Sequence, residues 1–278
     1  MARAAVFPRQ VRQALTRTGG YLAGYTHTLQ PYVGCEFSCH YCYVRALPVQ
    51  RANPYGREWS RWISPKTDIA ERLRAQGVRG TVAGARIFCA SSTDPYTPLE
   101  RKLGLTRACL DVFAEFPPQV LVVQTRSPLV LRDVDRLRAL PRVGVSLTVT
   151  TDSEAVRRRY EPDSPRISRR IETLAALRAA GLRTQAAVAP LLPGDAEALA
   201  KRLDPVVDRV VVDDLVRGDG AGGARSRATR ERLRAEGFGA WAGTGAADAA
   251  IEQMRGVLGP ERVVVSQDGF NRIAGWLS

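Results

Sequence analysis

Short β-branched runs alternate with charge-laced helical stretches along most of this 278-residue chain, and that rhythm narrows the fold more than any other feature. The runs Tyr25 to Leu29, Ala85 to Ser91, Gln119 to Thr125, Val143 to Thr150, Arg183 to Ala189 and Arg209 to Asp214 read as strands. Between them the spacing predicts helices over Lys66 to Ala75, Leu105 to Phe116, Leu131 to Leu140, Ser168 to Ala180 and Asp195 to Leu203. Strand–helix units joined by right-handed crossovers give a parallel sheet curled toward a barrel, with chemistry at the C-terminal ends of the strands. The fold class is therefore α/β, and an apolar content of 45% is ample for its core.

Two segments break the rhythm. Residues 43–65, with Pro48, Asn53, Pro54, Gly56 and Pro65, are too long for an ordinary βα connection and are expected to wrap the cysteines that precede them. Residues 217–229, RGDGAGGARSRAT, read as a flexible loop before a C-terminal helical section and a last strand, Arg262 to Ser266. The loop holds G-x-G-x-x-G at Gly218, Gly220 and Gly223. A dinucleotide site needs a helix opening at the third glycine, whereas Ala224 to Ser226 stays loop-like, so a mobile lid or linker is the better reading. The expected layout is an N-terminal extension over 1–24, a barrel core over 25–215, and a loop, helices and last strand over 216–278 that complete the same domain.

The formal charge is +13, from 41 basic and 28 acidic residues, which is the footprint of a protein that meets polyanions such as nucleic acid. Compositional drift is the alternative. Only Lys66, Lys102 and Lys201 are lysines, a bias that explains arginine over lysine but not the excess. No run approaches the roughly 18 apolar residues of a membrane span, and the N-terminus MARAAVFPRQVRQ lacks an apolar signal core, so no membrane is expected and the location is read as cytoplasmic. In that reducing compartment five cysteines argue for metal or redox chemistry rather than disulfides.

Three of the five stand in GCEFSCHYCYVR: Cys35, Cys39 and Cys42, spaced C-x-x-x-C-x-x-C. Structural zinc wants four ligands and would have to recruit His27 or His40. Buried thiols without metal are a third reading. A cubane [4Fe-4S] cluster fits better, because three thiolates leave one iron without a protein ligand. That iron can hold a small molecule by its amino and carboxylate groups and pass it one electron, as radical chemistry from S-adenosylmethionine requires.

With Tyr41 before its last cysteine, the motif resembles that of the radical S-adenosylmethionine (SAM) superfamily. TDPYTPLE at 93–100, QTRSPLVLRD at 124–133, SLTVTTDSEAVRRRYEPDSP at 146–165 and APLLPG at 189–194 are similar to its spore photoproduct lyase-like branch, over about residues 25–195 in all. The resemblance implies a partial (β/α)6 TIM barrel of the radical SAM type whose first loop binds the cluster. It also implies an external one-electron donor of the flavodoxin or ferredoxin type, and reductive cleavage of SAM to methionine and a 5'-deoxyadenosyl radical that abstracts hydrogen from the substrate.

Site residues follow position by position from the same resemblance. Ser91, Ser92, Thr93 and Asp94 stand where the superfamily carries Gly-Gly-Glu for the methionine amino group; turn chemistry at Asp94-Pro95 and Thr97-Pro98 is the alternative. Thr125-Arg126-Ser127 replaces Thr-Lys-Ser, so Arg126 is implied to pair with the SAM carboxylate, unless it is a solvated surface arginine. Ser146 resembles the position that meets ribose or carboxylate, or it is a small barrel-layer residue. The run Arg157, Arg158, Arg159, Arg166, Arg169 and Arg170 reads as a solvated helix face partnered by Glu154 and Glu172 rather than a phosphate clamp. The branch's lyase returns hydrogen from a cysteine near the end of the second strand. Aligning on Asp94 puts Ser91 there, and Cys89, two residues earlier and so on the same face of the strand but deeper, is either a core thiol or a displaced catalytic donor. The implied function is a radical SAM enzyme acting on a substrate other than spore photoproduct, with nucleic-acid lesion repair or modification foremost. A small metabolite or peptide substrate, and a non-enzymatic iron–sulfur nucleic-acid-binding sensor, are the rivals.

Overall fold

The computed structural model describes residues 4–48 and 56–277. Residues 49–55, the middle of the expected excursion, lie outside the described residues, as do the first three of the N-terminal extension. Eleven strands are described: β1 (Ala5–Val6), β2 (Leu15–Arg17), β3 (His27–Leu29), β4 (Tyr32–Gly34), β5 (Trp62–Pro65), β6 (Arg86–Cys89), β7 (Val120–Thr125), β8 (Val143–Thr148), β9 (Arg183–Val188), β10 (Arg209–Val212) and β11 (Val263–Val265).

The main sheet runs β11-β10-β9-β8-β7-β6-β3-β2, parallel from β3 to β11, with β2 antiparallel at its edge. The six strands of the expected barrel are all in this parallel run, and the expected last strand is β11, which joins them as a seventh by pairing Val263 to Val265 with Val210 to Val212. A separate sheet, β1-β5-β4, has no counterpart in the sequence reading. Its strand β4 stands between the barrel's first strand and the cysteines, so the cysteine loop leaves β4 rather than β3 directly.

Alternation of side chains across each strand sorts the apolar residues into two layers. Ile87, Leu121, Val123, Val145 and Leu147 face the outer helices, while Phe88, Val120 and Val122 face inward. The outer helices include Leu105–Glu115, which buries Thr106, Cys109, Leu110, Val112 and Phe113 along one stripe, and Ala196–Leu203, whose first turn is capped by Asp195 accepting from the Ala198 N–H at 2.9 Å. Inside the barrel, Ile273, Trp276 and Leu277 of the C-terminal segment pack on Phe88, Val120 and Val122. Gly144 makes the room: a Cβ there would lie 2.7 Å from the Trp276 ring and 2.9 Å from Leu277. The end of the barrel opposite the strands' C-termini is thereby filled. Among the described residues no helix is long and apolar enough to cross a membrane.

Candidate active site

A cavity of about 370 Å³ opens at the C-terminal ends of the strands. One wall is the cysteine loop: Cys35, Phe37, Cys39, Tyr41, Cys42 and Tyr43 all line it. The loop is held from below. The Glu36 carboxylate accepts from the Thr97 hydroxyl at 2.6 Å and the Leu99 N–H at 2.8 Å, the Thr93 hydroxyl donates to the Gly34 carbonyl, and the His40 N–H donates to the Tyr160 carbonyl at 2.9 Å. Trp59, Tyr160, Leu192, Leu215 and Leu233 pack with it in one apolar cluster.

All three thiols are free of disulfides. Burial pushes each pKa up, that of Cys42 to about 11 with Cys39 adding to the shift, and Arg126 pulls Cys39 partly back. Bound metal ionises such thiols outright, releasing their protons. The donor set fits a cubane, which takes each thiolate at a different iron and does not need them to close on one point. Among the described residues, indeed, no three His, Cys, Asp or Glu side chains gather around one point. His27 and His40, the fourth ligands a zinc site would recruit, do not line the cavity; His27 contacts Thr26 at 2.9 Å and His40 is exposed.

The facing wall comes from the ends of β6 and β7. Ser91, Ser92, Thr93, Asp94, Gln124, Thr125 and Arg126 line it. The Ser91 hydroxyl accepts from Gln30 at 2.7 Å and keeps its own proton to donate. Asp94 ties the two strand ends together: it accepts from the Thr125 hydroxyl at 2.6 Å, the Arg126 N–H at 2.9 Å and the Tyr96 N–H at 2.9 Å. Burial raises its pKa while these donors oppose the rise.

Arg126 is not a surface arginine. Its Nη1 lies 2.8 Å from Glu161 Oε1, 2.9 Å from Tyr41 Oη and 3.5 Å from Ser164 Oγ, and the Phe37 and Tyr41 rings lie 5.9 and 5.8 Å from its Cζ.

Three expectations are corrected here. Ser146 does not line the cavity: it is fully buried one layer down, its hydroxyl accepting from Gln185 at 2.7 Å, and Thr148 stands at the cavity instead. Cys89 does not share the face of Ser91. It packs in the outer core with Ile87, Cys109 and Phe113, its thiol pushed up by burial, and is absent from the cavity wall, so its place is that of a packing residue. The basic run is not wholly solvated, because Arg157 and Arg170 are buried: Arg157 Nη1 reaches the carbonyls of Glu161 at 3.2 Å and Ser164 at 3.0 Å, and Arg170 Nη2 reaches Glu161 Oε2 at 2.6 Å.

The third wall holds the largest surprise. The glycine-rich segment read as a flexible lid is a compact turn folded around Asp219, whose carboxylate accepts four backbone N–H groups: Ala221 at 2.7 Å, Gly223 at 3.0 Å, Arg225 at 2.8 Å and Ser226 at 3.1 Å. Gly220, Gly222 and Gly223 take the positive φ that the turn demands. The next helix starts at Arg227, four residues past Gly223, so no dinucleotide fingerprint is built. Beside the turn, Asp213, just past the end of β10, accepts from the Tyr21 hydroxyl, and both residues line the cavity. Sequence reasoning missed this pair, as it missed Glu161; the only signal for Glu161 was its place in the RRRYEPDSP block.

Comparison with known proteins gives the family of the chain. A family model described as the radical SAM superfamily matches residues 29–202. An uncharacterized protein of Methanocaldococcus jannaschii is 30% identical over 175 residues, 62% of either chain, so this chain spans about three fifths of that relative's length. Among solved structures, a spore photoproduct lyase variant with bound AdoMet and dinucleoside spore photoproduct superposes with a TM-score of 0.64 at 13% identity, covering 94% of this chain and 81% of that one. SuiB of Streptococcus suis, bound to the precursor peptide SuiA, gives 0.51 at 15% identity, covering 86% and 48%. At those identities the structural likeness speaks for the fold alone. The family model, by contrast, spans more than half of the sequence, and the chain belongs to the radical SAM superfamily, whose members use a [4Fe-4S] cluster and S-adenosylmethionine.

Proposed function

We propose that Cys35, Cys39 and Cys42 hold a [4Fe-4S] cluster and that the chain is a radical SAM enzyme whose substrate is not spore photoproduct. The observation that carries the reading is one cavity lined on one side by three free, buried or half-buried thiols and on the other by the polar ends of β6 and β7. When bound, the cluster supplies the electron that cleaves SAM reductively to methionine and a 5'-deoxyadenosyl radical. The chain's own residues bind and orient. Ser91, Ser92 and Thr93 offer oxygens to the SAM ammonium, with Asp94 bracing them against β7. Arg126 receives the carboxylate, the Tyr41 hydroxyl braces Arg126, and the apolar shell around the loop keeps water out.

The choice of substrate rests on Ser91 and Cys89. With a hydroxyl at the cavity and the thiol of Cys89 turned into the core, no cysteine among the described residues stands where the lyase's hydrogen donor would, and an alkyl hydroxyl is a poor hydrogen-atom donor. The net charge of +13 favours nucleic acid as the substrate class. Anaerobic reconstitution with iron and sulfide, followed by incubation with SAM and a reductant, tests the reading. Mössbauer parameters of a cubane with one distinct iron and release of 5'-deoxyadenosine are expected, without repair of synthetic spore photoproduct. Failure to take up iron, or efficient conversion of spore photoproduct to thymines, overturns it.

A further inference from the structure

We infer that Glu161, which lies outside the cysteine motif, is the positioning residue of the cofactor pocket and acts by presenting one edge of Arg126 to the SAM carboxylate. The inference rests on the proposed SAM site and adds to it a residue from another part of the chain. Glu161 follows the helix Glu154–Tyr160 and is wholly buried. Its two oxygens face opposite ways. Oε1 accepts from Arg126 Nη1 at 2.8 Å and from the Tyr41 hydroxyl, and Oε2 accepts from Arg170 Nη2 at 2.6 Å.

Arg170 is itself fully buried and tied to the backbone: its Nε donates to the Pro165 carbonyl at 2.9 Å and its Nη1 to the Thr148 carbonyl at 3.2 Å, at the cavity end of β8. Although burial pushes the Glu161 pKa up, Arg170 and then Arg126 bring it down to about 2, so the carboxylate keeps its charge at any working pH. A fixed charge on a fixed arginine is a rigid anchor.

The consequence falls on Arg126. All of its side-chain hydrogen bonds run through Nη1, while among the described residues Nε and Nη2 have no hydrogen-bond partner, and the residue lines the cavity. A guanidinium held by one nitrogen presents a donor edge of fixed direction, which is what a carboxylate requires for recognition. Without its anchor, Arg126 would sample rotamers and lose that preorganisation.

The test uses the reconstituted holoprotein and two ligands, SAM and decarboxylated SAM, each titrated by calorimetry. Glu161→Gln cannot satisfy both arginines, since its amide NH2 must face one of them. The paired variant Glu161→Met with Arg170→Met removes the anchor without leaving a buried charge alone, and so covers the case in which Glu161→Gln does not fold. In either protein, iron content is expected to match the wild type. Affinity for SAM should fall about tenfold or more, as when a residue supporting a ligand is removed, while affinity for decarboxylated SAM stays within about twofold. Arg126→Gln should show the same selective loss, and adding Glu161→Gln to it should cost nothing further. Equal losses for both ligands, no loss, or additive losses in the double variant would overturn the positioning role. If wild-type holoprotein binds neither ligand, the SAM site itself is wrong and the inference falls with it.

Discussion

Replacing Asp213 by Asn should stabilise the protein above about pH 6 and flatten its pH dependence below it. Asp213 is 3% exposed, and no arginine or lysine is paired with it among the described residues. Burial lifts its pKa from 3.8 to about 6; Tyr21 and the Asp214 N–H, which donates at 2.9 Å, pull the other way, and the Asp214 charge adds to the lift. The folded chain therefore holds this proton more tightly than the unfolded one. The stability it contributes is complete below pH 3.8 and is lost as the pH rises through about 6. At about 1.4 kcal/mol per pH unit the loss is on the order of 3 kcal/mol, an upper figure for a real site. Asn has no proton to lose and fits the same contacts: its oxygen accepts from the Asp214 N–H, and its NH2 meets Tyr21, whose hydroxyl rotates to accept. Urea unfolding of both proteins at several values from roughly pH 4 to pH 8 measures the effect. The stability difference should grow by about 2 to 3 kcal/mol across that range and level off near the upper end. Parallel stability curves would show that Asp213 does not carry an unpaired buried charge, and the account of this wall would be wrong.

Cys39→Ala should abolish assembly of a stable cluster, read as loss of the iron–sulfur absorbance and Mössbauer signal after anaerobic reconstitution; retention of both would remove Cys39 from the ligand set. Gly144→Ala puts a Cβ 2.7 Å from the Trp276 ring and should destabilise the fold by about 1 to 3 kcal/mol, measured by thermal unfolding. If the charge of +13 serves nucleic acid, binding of a single-stranded DNA oligonucleotide should weaken with salt at a log–log slope steeper than about −3, whereas a flat response returns the charge to composition.

The barrel strands were legible because they are buried on both faces. Val120–Thr125 and Val143–Thr148 are apolar runs with little else to be, and the sequence boundaries fall within two residues of the observed ones. The small sheet was illegible for the opposite reason. Tyr32–Gly34 and Trp62–Pro65 are three and four residues long, too short for a period, and β5 is buried at all four positions, so nothing alternates. At the site, the cysteines announce themselves because their ligand spacing is local. Tyr21 and Asp213 are 192 residues apart, and Glu161 and Arg126 are 35 apart; no spacing rule reaches either pair. The burial of Arg157 and Arg170 was misread because arginine is exposed unless paired: Glu154, which the sequence did offer, pairs with Arg157 at 2.8 Å, but the other partners include the carbonyls and the carboxylate of a loop whose path the sequence does not reveal. Cys89 was misplaced because strand alternation was carried past the strand's end to Ser91, where the backbone no longer follows it.

The filled lower end of the barrel explains why the chemistry is confined to one mouth. Arg209, at the start of β10, lies under the Trp276 ring at 4.2 Å and donates to Gln185 at 2.6 Å, which in turn donates to Ser146 at 2.7 Å. Burial lowers the Arg209 pKa to about 10, far too high to release its proton near neutrality, so a permanent positive charge sits beneath the cavity. The C-terminal segment closes this floor, and Gly144 is the position that lets it seat. Tyr43 of the cysteine loop and Arg225 of the turn around Asp219 both line the cavity above this floor. A turn clamped by four N–H bonds to one carboxylate is a rigid jamb rather than a swinging lid. Tyr21, Asp213 and Arg225, which come from opposite ends of the chain, thus make a wall of the cavity separate from the one built by the cysteine loop and from the ends of β6 and β7.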